Sequence, residues 1–422
     1  MSETTPRSPF RGLRPLVLVH PGEGRPLGLS VLYFFLLLCS FYLLRPLRES
    51  LGIAKGAERL PWLMTGTLLV MLAANPVFAT LVSKLPRRRF IPATYRFFGA
   101  SFLAFFLAFR WAPGQALALG YGFYVWLSVF NLFVVAVFWG YMADLWTRDQ
   151  VERLFGLLAL GGTLGAMAGA SFTEVLVGSG RLPPVGLLLL SALVLEGATQ
   201  CARQLADHFA LGDRAGGARE PGPGPGEGLR LVFRSPLLGL LCLYMLLFTV
   251  TSTFLYLKQG EIVAATFKGM AGRTAAFARI DRLTNLLAMT TQLFLTSRLI
   301  RMAGLRVVLL ILPLVTLAGF GALLASPTFG ILLGVMVVRR GFHYAVDRPA
   351  RELLYIPLSA DAKYKAKAFV DTFVFRAGDF LGVWAPTALG ALGVAVAPVA
   401  FGLSTGWLVA GWGLGRVQAR KG

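Results

Sequence analysis

The chain has 422 residues, 56% of them hydrophobic and only 14% charged, with a mean hydropathy of +0.67 and a formal net charge of +21. That composition excludes a soluble domain of ordinary make-up, and long continuous apolar runs exclude a transmembrane β-barrel, whose strands alternate over about ten residues. The positive charge does not call for nucleic acid, because no RNA- or DNA-binding motif is present and a polytopic protein gathers Lys and Arg on its cytoplasmic face, beside anionic lipid.

A membrane-spanning helix needs about 20 mostly apolar residues. Segments of that kind fall at 28–50, 61–83, 90–110, 117–145, 154–178, 184–205, 236–258, 275–298, 304–325, 328–347, 366–388 and 391–415. The predicted fold is an all-α membrane protein, twelve transmembrane helices in two six-helix halves at 28–206 and 236–416. Residues 1–27 form a basic cytoplasmic tail (Arg7, Arg11, Arg14, Arg25), and 417–422 form a second. The first apolar run is too long for a cleaved signal peptide. Between the halves, residues 207–235 contain PGPGPGEG, a low-complexity run expected to be a flexible cytoplasmic linker. Six helices on each side of such a loop is the plan of the major facilitator superfamily.

Lys and Arg set the orientation. Lys84, Arg87, Arg88 and Arg89 lie between the second and third segments, and Arg298, Arg301 and Arg306 lie between the eighth and ninth. The loops at 112–116, 326–327 and 389–390 are nearly uncharged. Both termini are therefore expected inside, in a bacterial inner membrane.

Charges within the apolar segments are costly and point to a task. The first segment ends FYLLRPLRES. Arg45 and Arg48 share a face, Glu49 is placed to pair with Arg45 four residues earlier, and Pro46 suits a bend lining a cavity. Snorkelling of both arginines to the interface is the plainer alternative, and it is the expected fate of Arg96 in the third segment. The fourth offers Ser128 and Asn131. In the fifth, Gly161, Gly165 and Gly169 recur every fourth residue, with Gly162, Ala166 and Ala170 alongside, which allows close helix contact. The eighth carries Arg279, Asp281, Arg282, Asn285 and Gln292; the tenth carries Arg339 and Arg340; the eleventh carries Asp371, Arg376 and Asp379.

About eight arginines thus lie in the spans, with fewer carboxylates placed to neutralise them. A guanidinium surplus suits an anion with several oxygens, because the planar fork binds phosphate or carboxylate bidentately. Tyr42, Phe133, Phe138, Trp139 and Tyr141 offer rings for stacking, though packing is the ordinary use of membrane aromatics. No GxxxxGK[ST] run is present, which argues against an ATP-driven pump. His20, His208 and His343 are scattered, and Cys39, Cys201 and Cys242 read as buried free thiols. No enzyme, metal or cofactor is expected.

The stretch from Gly341 to Gly382 is the most specific. From Tyr344 it carries Pro349 and Glu352, then YIPL at 355–358, then Lys363, Lys365 and Lys367, then Asp371 and Arg376. This run resembles the ATP:ADP antiporter (nucleotide transporter) family of plastids and intracellular bacteria. YLLRPLRES is similar to that family's Tyr–x–x–Arg–x–x–Lys–Asp, with Arg48 at the Lys and Glu49 at the Asp. FWGYMAD at 138–144 and ERLFGL at 152–157 resemble its fourth-to-fifth helix junction. The family's acidic residue early in the fourth helix has no counterpart, and Ser128 and Asn131 are the polar groups there.

The resemblance implies exchange of one nucleotide for another by alternating access. The expected substrate contacts are Arg45, Arg48, Glu49, Asn131, Arg282, Asn285, Arg340 and Arg376. Gating or coupling is expected at Asp281, Tyr344, Arg348, Glu352, Lys365, Lys367, Asp371 and Asp379. Transport of another organic anion or a lysophospholipid, proton-coupled through Glu49, Asp281 or Asp379, is the rival reading. A non-transporting scaffold or sensor is disfavoured by the buried charges. The expected partners are an anionic small molecule and the lipid bilayer, the latter around a monomer.

Overall fold

The computed structural model describes residues 19–20, 22–209, 230, 232, 235–356 and 358–419. The predicted linker and both predicted tails therefore lie largely outside the described residues.

Among the described residues, twelve long helices follow one another. In the first half they are α1 (Gly24–Gly52), α2 (Leu60–Lys84), α3 (Arg87–Trp111), α4 (Ala116–Leu145), α5 (Arg148–Gly178) and α6 (Leu187–His208). In the second half they are α7 (Pro236–Thr266), α8 (Gly269–Phe294), α9 (Thr296–Ala325), α10 (Phe329–Leu353), α11 (Ala360–Ala391) and α12 (Val396–Ala419). Among the described residues, nine helices are long and apolar enough to cross a membrane, the other three being α2, α8 and α11. Consecutive helices alternate in direction. The two described chain ends therefore share one face, called here the near side; the loops after α1, α3 and α5 lie on the far side.

Two helices are longer than their apolar runs predict. α10 passes through a π-helical turn at His343–Asp347 and continues to Leu353 instead of stopping at 347. Pro349 has no N–H to offer the carbonyl of Ala345; Thr296 Oγ1 donates to that carbonyl at 2.7 Å, and Gln292 Nε2 donates to the carbonyl of Tyr344 at 3.1 Å. Side chains of α8 and α9 thus satisfy groups that the broken ladder leaves orphaned. α11 begins at Ala360, capped by the Ser359 hydroxyl, and has its own π-helical turn at Val370–Val374. The predicted lysine run consequently lies on a helix.

The glycine spacing of α5 works as the sequence suggests. A Cβ on Gly161, Gly165 or Gly169 would meet the carbonyl oxygen of Val31, Phe35 or Cys39 at 2.7, 2.1 or 2.5 Å. The backbones of α1 and α5 therefore touch directly.

Among the described residues, buried apolar side chains form three clusters. One lies within the first half (Tyr33, Leu37, Tyr95, Phe130, Phe138) and one within the second (Leu237, Tyr244, Leu309, Trp407). The third joins the halves: Ile53, Leu60, Leu63 and Tyr124 pack with Phe254, Ile280, Leu332 and Met336. Its first-half members all belong to far-side helix ends, so the apolar seal between the halves is on the far side.

Candidate functional site: a cavity between the halves

A cavity of about 470 Å³ lies between the two halves. Its walls come from α1 (Phe41, Arg45, Arg48, Glu49), α2, α4 (Tyr124, Ser128, Asn131), α7 (Ser252, Thr253, Tyr256) and α11 (Phe375, Arg376, Asp379). The long apolar helices supply the rigid walls, and the charges sit at one level of them.

Each arginine at this level has a defined partner. Arg45 Nη1 lies 2.7 Å from Asp281 Oδ1, across the interface between the halves, and Arg340 Nη2 lies 2.9 Å from the same oxygen. Asp281 is almost fully buried, so one carboxylate out of water is shared by two guanidiniums. The pairing of Arg45 with Glu49 read from their spacing is not formed. Glu49 instead accepts from Arg48 Nη1 at 2.8 Å and from the Tyr256 hydroxyl of α7 at 2.5 Å. Arg48 Nε donates to the Tyr124 carbonyl at 3.1 Å, and its guanidinium lies 3.9 Å from the centre of the Tyr124 ring. Arg376 is 3.7 Å from Asp379. Around the cavity, four guanidiniums (Arg45, Arg48, Arg340, Arg376) face three carboxylates (Glu49, Asp281, Asp379). One positive charge is left over.

The far side is bolted by further bonds between the halves. Glu174 of α5 accepts from Arg282 Nε at 2.5 Å and from Arg279 Nε at 2.8 Å. Arg273 donates to the carbonyl of Ile53 at 3.0 Å, Ser50 to that of Met270 at 3.1 Å, and Trp384 to the Thr65 hydroxyl at 3.0 Å. Arg45–Asp281, Glu49–Tyr256 and Tyr124–Tyr256 join the halves at this level, and the bonds just named join them beyond it toward the far side.

Six of the residues expected to touch or couple to a substrate line the cavity: Arg45, Arg48, Glu49, Asn131, Arg376 and Asp379. Asp281 and Arg340 stand behind Arg45, joined to it through the shared carboxylate. Arg282 is drawn away to Glu174, and Asn285 turns back to donate to the Asp281 carbonyl at 2.9 Å. Neither lines the cavity. Glu352 and Lys367 form an ion pair of 2.6 Å between the near-side ends of α10 and α11. Tyr344, Arg348, Lys365 and Asp371 lie on the near-side parts of α10 and α11 and do not line the cavity. Sequence reasoning missed Tyr256 and Thr253. Their only signal is a run of hydroxyls in TVTSTFLY, unremarkable in an apolar helix.

No protein-family profile and no curated relative matches the chain. Solved structures do. A point mutant of the nucleoside transporter NupG aligns with a TM-score of 0.63 at 13% identity, covering 92% of this chain and 99% of that one. An autoinhibited POT family peptide transporter gives 0.60 at 12% identity, covering 94% and 97%. A bacterial homolog of the human lysosomal transporter Spinster, inward-facing and unoccupied, gives 0.56 at 14%, covering 96% and 95%. At these identities the likeness establishes the fold alone, which this chain shares with these solved transporter structures.

Proposed function

We propose that the chain is a secondary active transporter that moves an organic anion by alternating access, and that the anion is a nucleotide taken in exchange for another. The observation that carries this reading is the placement of Arg45 and Arg48 from one half and Arg376 from the other around a single cavity of about 470 Å³. That volume falls within the roughly 300–1,000 Å³ usual for small-molecule sites. The surplus guanidinium charge suits phosphate oxygens. All three solved structures named above are of transporters, and the nucleotide-transporter resemblance narrows the anion.

The geometry supplies a coupling. With both termini in the cytoplasm, the bolted far side is the outside and the cavity belongs to an inward-facing state. Arg45 both lines the cavity and holds Asp281 across the interface. An entering anion competes with Asp281 for Arg45 and weakens the outer bolt only while it is bound. The empty carrier keeps the bolt, so return without cargo is disfavoured and the transport cycle becomes exchange. Near-side closure would then fall to Tyr344, Arg348, Glu352, Lys365, Lys367 and Asp371, on the near-side parts of α10 and α11.

Proteoliposomes test the proposal. Uptake of labelled ATP should require ADP inside the vesicle. Uptake that ignores internal nucleotide and follows an imposed proton gradient would instead support proton-coupled transport of another organic anion or a lysophospholipid. That second reading rests on Asp379, a cavity carboxylate whose partner Arg376 is 3.7 Å away.

A further inference from the structure

We propose that Arg339, which stands behind the cavity wall and does not line it, takes the negative charge of the cargo as its counter-ion, acting through the hydroxyl of Ser252. The inference rests on the anion-transport reading above and adds a positioning residue to it.

Arg339 is only 4% exposed. Its guanidinium is boxed between helices. Nε donates to the Thr316 hydroxyl of α9 at 2.9 Å, Nη2 donates to the Ser252 hydroxyl of α7 at 2.7 Å, and the centre of the Phe248 ring is 5.4 Å away. All of these partners are neutral. Among the described residues, no carboxylate lies within ion-pair distance of Arg339. The carboxylates of the surrounding helices hold other cations. Asp281 is shared by Arg45 and Arg340. Asp347 takes Arg351 at 3.0 Å, the Tyr244 hydroxyl at 2.7 Å and His343 at 3.2 Å. Asp379 faces Arg376 at 3.7 Å. A buried charge with no opposite charge is costly, and an anion entering the cavity relieves that cost.

Ser252 is the link, because it lines the cavity. Accepting from Arg339 polarises its own O–H and makes it a stronger donor. That O–H donates to the Phe248 carbonyl at 2.6 Å. The same carbonyl has other donors, Thr251 Oγ1 at 3.1 Å and Arg339 Nη2 at 3.4 Å. The Ser252 proton can therefore turn to an anion oxygen without orphaning the carbonyl. Arg376 of α11 belongs to the same wall. Gly378 and Gly382 let α11 close on α7 there, since a Cβ at either would lie 2.7 or 2.8 Å from the Cβ of Thr249 or Thr253. The second-half wall thus holds an anionic group by Ser252, with Arg339 behind it, and by Arg376.

The test is thermal unfolding of the purified full chain in detergent, with ADP and pyrophosphate as probes. With neither probe present, R339Q should melt at or above the wild type, because it removes an unanswered buried charge and its amide keeps a donor for the neighbouring hydroxyls. With ADP, half-maximal stabilisation of R339Q should need on the order of ten times more ligand than the wild type. A purely structural Arg339 would give a lower Tm without a probe and an unchanged ADP requirement, and either result overturns the proposal. Pyrophosphate separates this outcome from the nucleotide reading. A wild type stabilised by pyrophosphate and not by ADP overturns the nucleotide, and the R339Q comparison run with pyrophosphate still decides Arg339. If R339Q fails to fold, or neither probe acts, S252D decides, since it gives Arg339 a carboxylate of its own. A Tm above the wild type without a probe supports the missing counter-ion, and a Tm at or below it overturns the proposal.

Discussion

Arg48 shows how one side chain can be held and still be available. The ring of Tyr124 lies under its guanidinium, and two of its bonds go to the Tyr124 carbonyl and to Glu49. An arginine has five N–H donors, so three are left for an anion in the cavity. Lysine would keep the charge but lose the planar fork and the stacking. Arg48→Lys should weaken substrate affinity by about tenfold, read as the nucleotide concentration needed for half-maximal exchange. Glu23 works outside the membrane. It takes hydrogen bonds from Arg153, the His20 backbone and Gln150, tying the start of α1 to α5. Its bond to Arg153 above all lowers its pKa from 4.5 to about 2. A depressed carboxylate stabilises the fold above its unfolded value and loses that contribution as pH falls through its folded one. The Tm deficit of Glu23→Gln should therefore be full at neutral pH and shrink from pH 4.5 toward about 2.

At the scale of the helix, the direct contact of α1 with α5 depends on missing side chains. A Cβ at Gly165 would lie 2.1 Å from the Phe35 carbonyl oxygen, whereas one at Gly156 of the same helix meets nothing within 4 Å. Gly165→Ala should therefore cost about 1–3 kcal/mol and Gly156→Ala little, measured by thermal unfolding in detergent. α10 and α11 show the opposite device, an extra residue accommodated in a π-helical turn. Hydropathy ended α10 at 347 because charged residues follow. The backbone continues because Thr296 and Gln292 take the carbonyls that the turn and Pro349 leave open. Those partners are some fifty residues away in the chain, out of reach of any local pattern.

At the scale of the whole molecule, the two halves are fastened at one end. Glu49–Tyr256 closes the cavity wall itself, and Asp281 is the bolt behind it whose partner Arg45 faces the cargo. Removing one member of a buried charged set leaves the others uncompensated, a cost on the order of 3 kcal/mol. Asp281→Asn should therefore destabilise the state closed on the far side. A Met64→Cys reporter in the cavity wall should then react faster with an impermeant thiol reagent from outside when Asn replaces Asp281. Nucleotide exchange should slow in the same variant, because the carrier no longer distinguishes loaded from empty. An unchanged labelling rate would remove Asp281 from the closure.

The apolar runs alone determined the number of helices and their approximate limits, and the Gly/Pro-rich run at 207–235 divided them six and six. The helices follow from the free energy of placing some twenty residues in hydrocarbon, and the division from turn-forming composition; both are properties of contiguous sequence. The glycine spacing of α5 was legible for the same reason, since it concerns one face of one helix. The partners of the arginines were not. Spacing suggested Glu49 for Arg45 and placed Arg282 and Asn285 at the site. The packed halves gave Arg45 to Asp281, 236 positions away, and drew Arg282 to Glu174. A buried charge takes whichever opposite charge the packing brings within reach, so only the tertiary arrangement decided which guanidiniums face the cavity and which close its far side.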